Sequence, residues 1–492
     1  MLSSCSNTGP QTGTLSGTIN LEGQSDHSNI TIGVYKLAEL DPDIVAINQE
    51  YPFIGVIINQ HTEFDHRFGT LVKAGETDAS GYFEINDIPT GIYNVVAIKD
   101  SFGFRYIYNV QINSGENLLQ RKKDKDERKK LEDENSFNLL PLSFNLEGSK
   151  ADLTLYPATI ISADITTATI FESYHHYIIE QDIKIDDELT IEPGAVIRLN
   201  DRVKLTINGD LTAEGRVDNF IWFTSNDSIF SSSVFRFPSS VSLYEYNRVE
   251  LDGTLNKEVA YCKFEHAGTG LLSKVNGFEI SDCIFRESQC GFKVESVDSA
   301  FCSNLLCKDI YNDSFAGIYF NQVSHGLIKK NIIIDCEDGI NIKVESSPYV
   351  INNYINSCNT GIDISFYSSS NIHNNEIYCF NYSIYIAHLS YPIIEKNNVN
   401  STVGIGMFNF GDKKSEIHYN NLNCSIYAIK LRADHWTPIY YDVSAENNYY
   451  YTTNEDEIET LLYDKHDGHQ FIEGEIIYKP YLTTLNIYSG IL

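Results

Sequence analysis

The 492-residue sequence predicts an all-β protein, in which an N-terminal antiparallel β-sandwich precedes a long coil of parallel strands with a C-terminal cap. Two patterns predict this fold class. An asparagine recurs at a nearly constant interval of about 22 residues in the C-terminal half. Short alternating segments, separated by glycine, proline, asparagine and aspartate, fill the N-terminal quarter.

The coil is predicted by Asn331, Asn353, Asn375, Asn397 and Asn420, which are separated by 22, 22, 22 and 23 residues. An apolar residue follows each of them two positions later, as expected for a strand with one buried face. Because equivalent positions stack from one turn to the next at roughly 4.8 Å, we expect these side chains to form a buried amide ladder. This column is therefore predicted to be structural.

Extending the column gives Cys262, Cys283 and Asn304 before it and Asn447 after it. Eight residues beyond each column position we expect a tight bend with a left-handed backbone angle, which favours glycine. The residues at this bend are Gly270, Gly291, Gly339, Gly361, Ser383, Ile405 and Ala428. Each repeat is thus predicted to contain three strands joined by turns. The cysteines within the repeats suit small buried side chains.

The N-terminal module is predicted over residues 11–143 as an antiparallel sandwich. Its predicted strands are Thr14 to Asn20, Ile30 to Lys36, Tyr82 to Ile85, Tyr93 to Ile98 and Arg105 to Ile112. Residues 77–85 (TDASGYFEI) and 88–95 (IPTGIYNV) resemble the transthyretin-like regulatory domain of carboxypeptidases, and this resemblance implies an accessory module without catalytic residues. We expect residues 37–67 to be a solvated connection, in which His61, Glu63, Asp65 and His66 form at most a weak metal site.

Three sequence segments beyond Tyr177 carry a second resemblance. They are residues 189–197 (LTIEPGAVI), 205–215 (LTINGDLTAEG) and 221–225 (IWFTS). Together with the later repeats, they resemble secreted bacterial right-handed parallel β-helix proteins of the pectate-lyase-like superfamily. The resemblance implies a right-handed parallel β-helix, whose last turn would be covered by a C-terminal helix and strand. The predicted divisions are a tether (1–10), the sandwich (11–143), a connector and N-terminal cap (144–176), the β-helix (177–450) and the C-terminal cap (451–492).

The extreme N-terminus and the overall charge predict location and partners. Residues 2–5 (LSSC) resemble a bacterial lipobox, which makes Cys5 a candidate for lipidation. The formal net charge is −31, from 67 acidic and 36 basic residues, and long-range repulsion argues against nucleic-acid partners. We therefore expect an extracellular or cell-surface protein that meets a membrane only through such an anchor.

The outward positions of the strand after each glycine bend are the candidate positions for a site. They are Lys293, Tyr319, Asn341, Asp363, Tyr385, Gly406 and Lys430, flanked by Glu295, Asn321, Lys343, Ser365, Ala387, Phe408 and Arg432. Carboxylates do not gather there on adjacent turns, and Lys343 with Asp363 is expected to be a cross-turn ion pair. Tyr319 and Tyr385 are candidate ligand-binding residues.

A second candidate is the loop group of Arg432, Asp434, His435 and Trp436. Its tryptophan could stack on a sugar ring, while its polar groups bind hydroxyls.

A stripe of acidic residues follows the asparagine strand on successive turns. Its members are Glu265, Glu287, Asp309, Asp335, Glu337 and Asp338. Carboxylate oxygens of this kind are calcium ligands, so calcium is the one cofactor that the sequence suggests. The alternative is that these are solvated turn residues.

These observations favour a secreted or cell-surface β-helix protein that binds carbohydrate, or adheres, without catalysis. One alternative is a polysaccharide lyase or glycoside hydrolase, whose clustered carboxylates do not align in the sequence. The other is a purely structural envelope protein. The identity of the ligand and the oligomeric state are not indicated.

Overall fold

The computed structural model describes residues 11–119, 153–226, 247–253, 256–311, 315–408, 415–433, 436 and 438–492. The chain divides into two compact units. One contains Met1–Val45, Ile58–Thr159 and Glu172–Tyr177, and the other contains Ala46–Ile57, Ile160–Phe171 and Ile178–Leu492. The predicted all-β class is confirmed, with 56% strand and 5% helix.

The first unit contains a β-sandwich of two four-stranded sheets. Its strands are β1 (Thr12–Leu21), β2 (Thr31–Lys36), β3 (Leu71–Glu76), β4 (Tyr82–Pro89), β5 (Gly91–Lys99), β6 (Gly103–Ile112), β7 (Gly115–Leu118) and β8 (Leu153–Leu155). One sheet has the order β4-β1-β7, with β8 also paired to β1, and the other has the order β3-β2-β5-β6. Alternating residues of both sheets, such as Leu15, Val34, Phe83 and Val95, form one buried core. All five predicted sandwich strands are present.

The solvated connection predicted over residues 37–67 is wrong. It contains α1 (Pro42–Glu50) and α2 (Gln60–Glu63), and Asn59 starts α2 with a capping box completed by Thr62. His66 is largely buried, its Nδ1 lies 2.7 Å from the Tyr106 hydroxyl, and burial lowers its pKa to about 4. A neutral histidine packed among aromatic rings is a core residue.

The second unit is a coil of about 11 turns whose strands form one continuous parallel ladder. Its strands are β9 (Thr159–Ile161), β10 (Thr169–Phe171), β11 (His176–Ile179), β12 (Ile183–Ile185), β13 (Leu189–Ile191), β14 (Val196–Leu199), β15 (Lys204–Ile207), β16 (Leu211–Glu214), β17 (Ile221–Ser225), β18 (Arg248–Leu251), β19 (Lys257–Ala260), β20 (Cys262–Glu265), β21 (Thr269–Ser273), β22 (Phe278–Ser281), β23 (Ile284–Ser288), β24 (Cys290–Ser303), β25 (Leu306–Ile310), β26 (Ala316–Lys329), β27 (Ile332–Cys336), β28 (Asp338–Lys343), β29 (Pro348–Ile351), β30 (Tyr354–Ser365), β31 (Asn371–His373), β32 (Glu376–Ala387), β33 (Ile393–Glu395), β34 (Asn398–Phe408), β35 (Glu416–His418), β36 (Asn421–Arg432), β37 (Val443–Ser444), β38 (Leu462–Tyr463) and β39 (Ile476–Ile477). The predicted parallel β-helix is confirmed.

The asparagine ladder is present as predicted, and all five side chains are fully buried. The Nδ2 of each donates to the Oδ1 of the asparagine one turn later, over 2.8 to 3.0 Å, and the same Oδ1 accepts the preceding backbone N–H. The ladder continues to Asn448 and begins where the Leu305 N–H donates to Asn331. The predicted extension to Asn304 and Asn447 is therefore wrong by one residue, because Leu305 and Asn448 occupy the column positions. Asn304 and Asn447 have left-handed φ values and precede the column.

The left-handed angle predicted for the bend glycines is also wrong, because Gly339 and Gly361 are not among the residues of positive φ. Close approach of the next turn requires glycine instead. A Cβ on Gly339 would lie 2.5 Å from the Gly361 carbonyl oxygen, and one on Gly361 would lie 2.5 Å from the oxygen of Ser383. In the strand register, Ser383 follows Gly361 and Gly404 follows Ser383. The bend residue of that turn is therefore Gly404 and not Ile405.

A second buried ladder, of serines, lies at another corner of the coil. The N–H of Ser346 donates to Ser368 Oγ and that of Ser368 to Ser390 Oγ, each over 3.2 Å and 22 residues. The three side chains are fully buried. Their equal spacing was the sequence signal for this ladder.

The C-terminal segment covers the end of the coil and then runs back along it. It contains α3 (Glu455–Thr460), a 3-10 turn (Lys465–Asp467) and the last strands β38 and β39. Beyond Pro480, Asn486 exchanges hydrogen bonds with Asn421, and the Gly490 N–H donates to the Lys396 carbonyl. The tail thereby joins successive turns.

Candidate functional site

The strand that follows each glycine bend forms one face of the coil, here called the third sheet. It consists of residues 290–295, 316–321, 338–343, 360–365, 382–387, 403–408 and 427–432. Ile340 and Ile342 point inward and are fully buried, so the residues that alternate with them point outward. In the outward column, Tyr319 pairs with Asn341, Asn341 with Asp363, and Asp363 with Tyr385.

A compact polar group lies in the middle of this face. The central cluster consists of Asp338, Asn341, Lys343, Asp363 and Ser365. The expected ion pair is present, because Lys343 Nζ donates to Asp363 Oδ2 with both side chains mostly buried. Asn341 Nδ2 donates to Asp338 Oδ2 over 3.2 Å, which turns Asn341 Oδ1 away from Asp338.

Three buried polar atoms of the central cluster lack a hydrogen-bond partner among the described residues. They are Asn341 Oδ1, Asp363 Oδ1 and Ser365 Oγ, and the side chains of Asn341 and Ser365 are only 1% and 2% exposed. An unsatisfied buried polar group costs roughly 1 to 3 kcal/mol, and such groups are rare in folded proteins. These three atoms lie on two neighbouring turns of the coil.

The carboxyl group of Asp338 has a raised pKa. Burial is the main cause that raises its pKa to about 6, and the charge of Asp363 raises it further, while the Asn341 bond opposes the shift. The carboxyl group of Asp338 is therefore partly protonated near pH 6.

Aromatic side chains border the central cluster on its N-terminal side. The ring of Phe315 meets that of Tyr319 edge to face at 5.7 Å. Lys293 Nζ lies 5.3 Å from the Tyr319 ring and pairs with Glu295 at 3.2 Å. The charge of Lys293 is thus already balanced by Glu295.

A second aromatic pair borders the cluster on its C-terminal side. The rings of Tyr382 and Tyr385 lie 5.2 Å apart. Tyr382 occupies the space above Gly406, where a Cβ would lie 2.5 Å from the ring. Burial raises the pKa of Tyr385 to about 12, so its hydroxyl stays neutral at physiological pH. Tyr319 and Tyr385, both predicted as binding residues, therefore flank the central cluster.

Arg432 ends an aromatic stripe beside this column. Its guanidinium lies 5.4 Å from the Phe408 ring, and Phe408 meets His388, which stacks on Phe366 at 4.3 Å. The 22-residue spacing of Phe366 and His388 could have predicted the stripe. Of the remaining loop candidates, Trp436 is 81% exposed, while Asp434 and His435 lie outside the described residues, as does Cys5.

Only part of the acidic stripe forms a column. The strand register places Glu287, Asp309 and Asp335 at equivalent positions on successive turns, whereas Glu265 is the register partner of Arg286. Glu287 pairs with His266 at 3.0 Å, Asp309 accepts from the Tyr311 hydroxyl, and Glu337 accepts from Asn359. Within either compact unit, no three His, Cys, Asp or Glu side chains of the described residues converge on one point. Calcium binding stays a prediction.

Fold and site together define the class: the chain is a parallel β-helix repeat protein with an outward polar and aromatic face. A sequence model of the family described as "Periplasmic copper-binding protein (NosD)" matches residues 220–456, slightly less than half of the chain. A solved structure of a mutant of the periplasmic alginate epimerase AlgG is similar at 9% identity and a TM-score of 0.29, covering 64% of this chain and 76% of that one. That similarity is too low to bear on function. No curated protein sequence matches this chain.

The soft sulfur side chains that copper prefers are mostly buried among the described residues. Met407 is fully buried in the core. The nine described cysteines are free thiols, eight of them buried, and burial raises the pKa of Cys290 to about 12. Copper prefers thiolate, thioether or imidazole ligands, and within either unit no three His, Cys, Asp or Glu side chains of the described residues converge.

No helix of the described chain is both long and apolar enough to span a bilayer.

Proposed function

We propose that this protein works outside the cytoplasm and binds a glycan along the outward face of the third sheet. The observation that carries the proposal is the row of three buried, unpartnered polar atoms between Tyr319 and Tyr385. These tyrosines are three turn steps apart, roughly 14 Å at 4.8 Å per step. That span suits several consecutive sugar residues. Tyrosine rings stack on the apolar faces of sugars, and the amide and carboxylate oxygens bind hydroxyl groups.

Two observations support the proposed location and partner class. The matching family is described as periplasmic. The net charge of −31 disfavours nucleic-acid partners by long-range repulsion. We include lipid attachment at Cys5 in the proposal, which would hold the binding face near a membrane surface.

An enzyme acting on the same glycan is the second candidate, and one observation favours it. Asp338, with a pKa of about 6, lies beside Asp363 and Lys343, as acid–base catalysis near neutral pH requires. A polysaccharide lyase or glycoside hydrolase is therefore tested alongside binding. A purely structural role leaves the unpartnered atoms of the central cluster without a reason.

The binding proposal is tested with the purified full chain on a panel of soluble oligosaccharides, followed by calorimetry of the tightest one. We expect Asn341→Ala to weaken binding about tenfold or more, because one hydrogen bond to a buried partner is lost. Asn423→Ala is the matched control, since Asn423 is exposed and lies in β36 before the third-sheet residues 427–432. Equal affinity for both variants, or no binding to any oligosaccharide, contradicts the proposal.

The enzyme is tested by incubating the same glycans with the protein and measuring new reducing ends and unsaturated products. Products that appear with the wild type and vanish with Asp338→Asn would establish catalysis in place of simple binding.

A further inference from the structure

The unpartnered atoms of the central cluster restrict the chemistry of the ligand. Asn341 Oδ1 only accepts, because it is an amide oxygen, and the Nδ2 of the same side chain already donates to Asp338. Asp363 Oδ1 also only accepts, because the other oxygen of this carboxylate is held by Lys343. Ser365 Oγ can donate or accept. Two of the three atoms therefore require a donor from the ligand.

The charges around these atoms oppose an anionic ligand. Lys343 is paired with Asp363, and Lys293 is paired with Glu295. Asp338 adds a further carboxyl group on the same side. Two lysines thus face three carboxyl groups within this part of the sheet.

The remaining cations of the face lie toward its C-terminal end. Lys430 Nζ lies 5.0 Å from the Tyr427 ring and 5.6 Å from the Tyr463 ring, and Arg432 lies over Phe408. Lys430 is two register positions beyond Tyr385 in the outward column. Neither cation is next to Asn341 or Asp363 in the ladder.

Resting on the proposed function, we propose that the sugar residues bound at Asn341 and Asp363 are uncharged and donate free hydroxyl groups, and that a uronate is rejected there. Asn341 and Asp363 are register partners on adjacent turns, roughly 4.8 Å apart along the axis. An extended glycan that runs along the coil presents hydroxyl groups of successive residues to them. A carboxylate in the same place would meet an acceptor amide and a carboxylate oxygen.

The test compares neutral glucan, mannan and galactan oligosaccharides with the same oligosaccharides oxidised to uronates at C6, by calorimetry on the full chain in physiological salt. We expect the neutral member of the binding pair to bind about 100-fold more tightly, because like-charge contacts in an interface are strongly unfavourable. Asp363→Asn should reduce this ratio at least tenfold, since it removes one charge and releases Lys343. Asp298→Asn, an exposed residue away from the third sheet, makes the same change in net charge and should leave the ratio unchanged.

The outcomes separate the two proposals. Uronates that bind as tightly as their neutral partners, with a loss in Asn341→Ala, overturn the inference and leave the proposed function standing. An unchanged ratio in Asp363→Asn also overturns the inference. Failure of every neutral and oxidised oligosaccharide to bind overturns both.

Discussion

Asp338 shows how one residue reports the electrostatics of the site. Its carboxyl group is buried beside Asp363, so the folded protein holds its proton more tightly than the unfolded chain does. Between the ordinary pKa of 3.8 and the folded pKa of about 6, the folded state binds more protons. This group therefore lowers the free energy of unfolding as pH rises through that window.

The residue-scale prediction is that Asp338→Asn stabilises the protein at pH 7 and much less at pH 4. A shift of this size corresponds to about 3 kcal/mol once the aspartate is ionised, and an asparagine does not ionise. Thermal unfolding of both proteins at the two pH values measures the difference. A difference that is the same at pH 4 and pH 7 would show that Asp338 has an ordinary pKa.

At the scale of the element, the turn of the coil is held by its buried ladders. Asn375 accepts the N–H and the Nδ2 of Asn353 and donates to Asn397, the Val350 carbonyl and the His373 carbonyl. Removing its side chain leaves partners without bonds on the turns before and after it. Such a position cannot be repaired by water, because it is fully buried.

We predict that Asn375→Ala lowers the free energy of unfolding by on the order of 3 kcal/mol, from buried groups that lose their partners. Asn359→Ala is the control, since Asn359 is exposed and bonds only Glu337 in the described structure. Thermal unfolding of the two variants measures the difference. If both lower the melting temperature equally, the ladder contributes no special stability.

The sequence predicts the elements of this coil better than its site. Spacing alone places Asn353 and Asn375 in one column, because each full turn returns a residue to the same corner. Spacing does not predict the physical reason for glycine at position 339. That reason is the close approach of the Gly361 carbonyl oxygen, which belongs to the backbone of another turn. The burial of His66 likewise depends on Tyr106, 40 residues away.

The central cluster cannot be predicted from spacing for a related reason. The outward column contains Asp363 without a second carboxylate, while Asp338 lies three residues before Asn341 and outside this column. Only the path of the chain at the bend brings Asp338 to Asn341. The positions of Tyr319 and Tyr385 follow from spacing, because both lie in the outward column of the third sheet.

At the scale of the whole molecule, the coil encloses its cysteines, since eight of the nine described ones are buried. Burial raises the pKa of Cys290 and of Cys424 to about 12, and Cys262 and Cys336 are raised well above the ordinary value, in each case mainly by burial. A neutral, enclosed thiol is a poor nucleophile.

We predict that a Cys5→Ser protein shows no thiol reactive toward a disulfide reagent at pH 8 when folded, and nine reactive thiols in denaturant. Counting the released chromophore before and after adding guanidinium makes the measurement. Rapid labelling of the folded protein would mean that the coil opens, while fewer than nine thiols in denaturant would reveal disulfides.

The glycan-binding face is tested most directly by a crystal structure of the full chain with the oligosaccharide that binds most tightly. We expect the sugar to lie along the third sheet between Tyr319 and Tyr385, with hydroxyl oxygens within hydrogen-bond distance of Asn341 Oδ1 and Asp363 Oδ1. An oligosaccharide bound to another face, with these two oxygens still unpartnered, would contradict that claim.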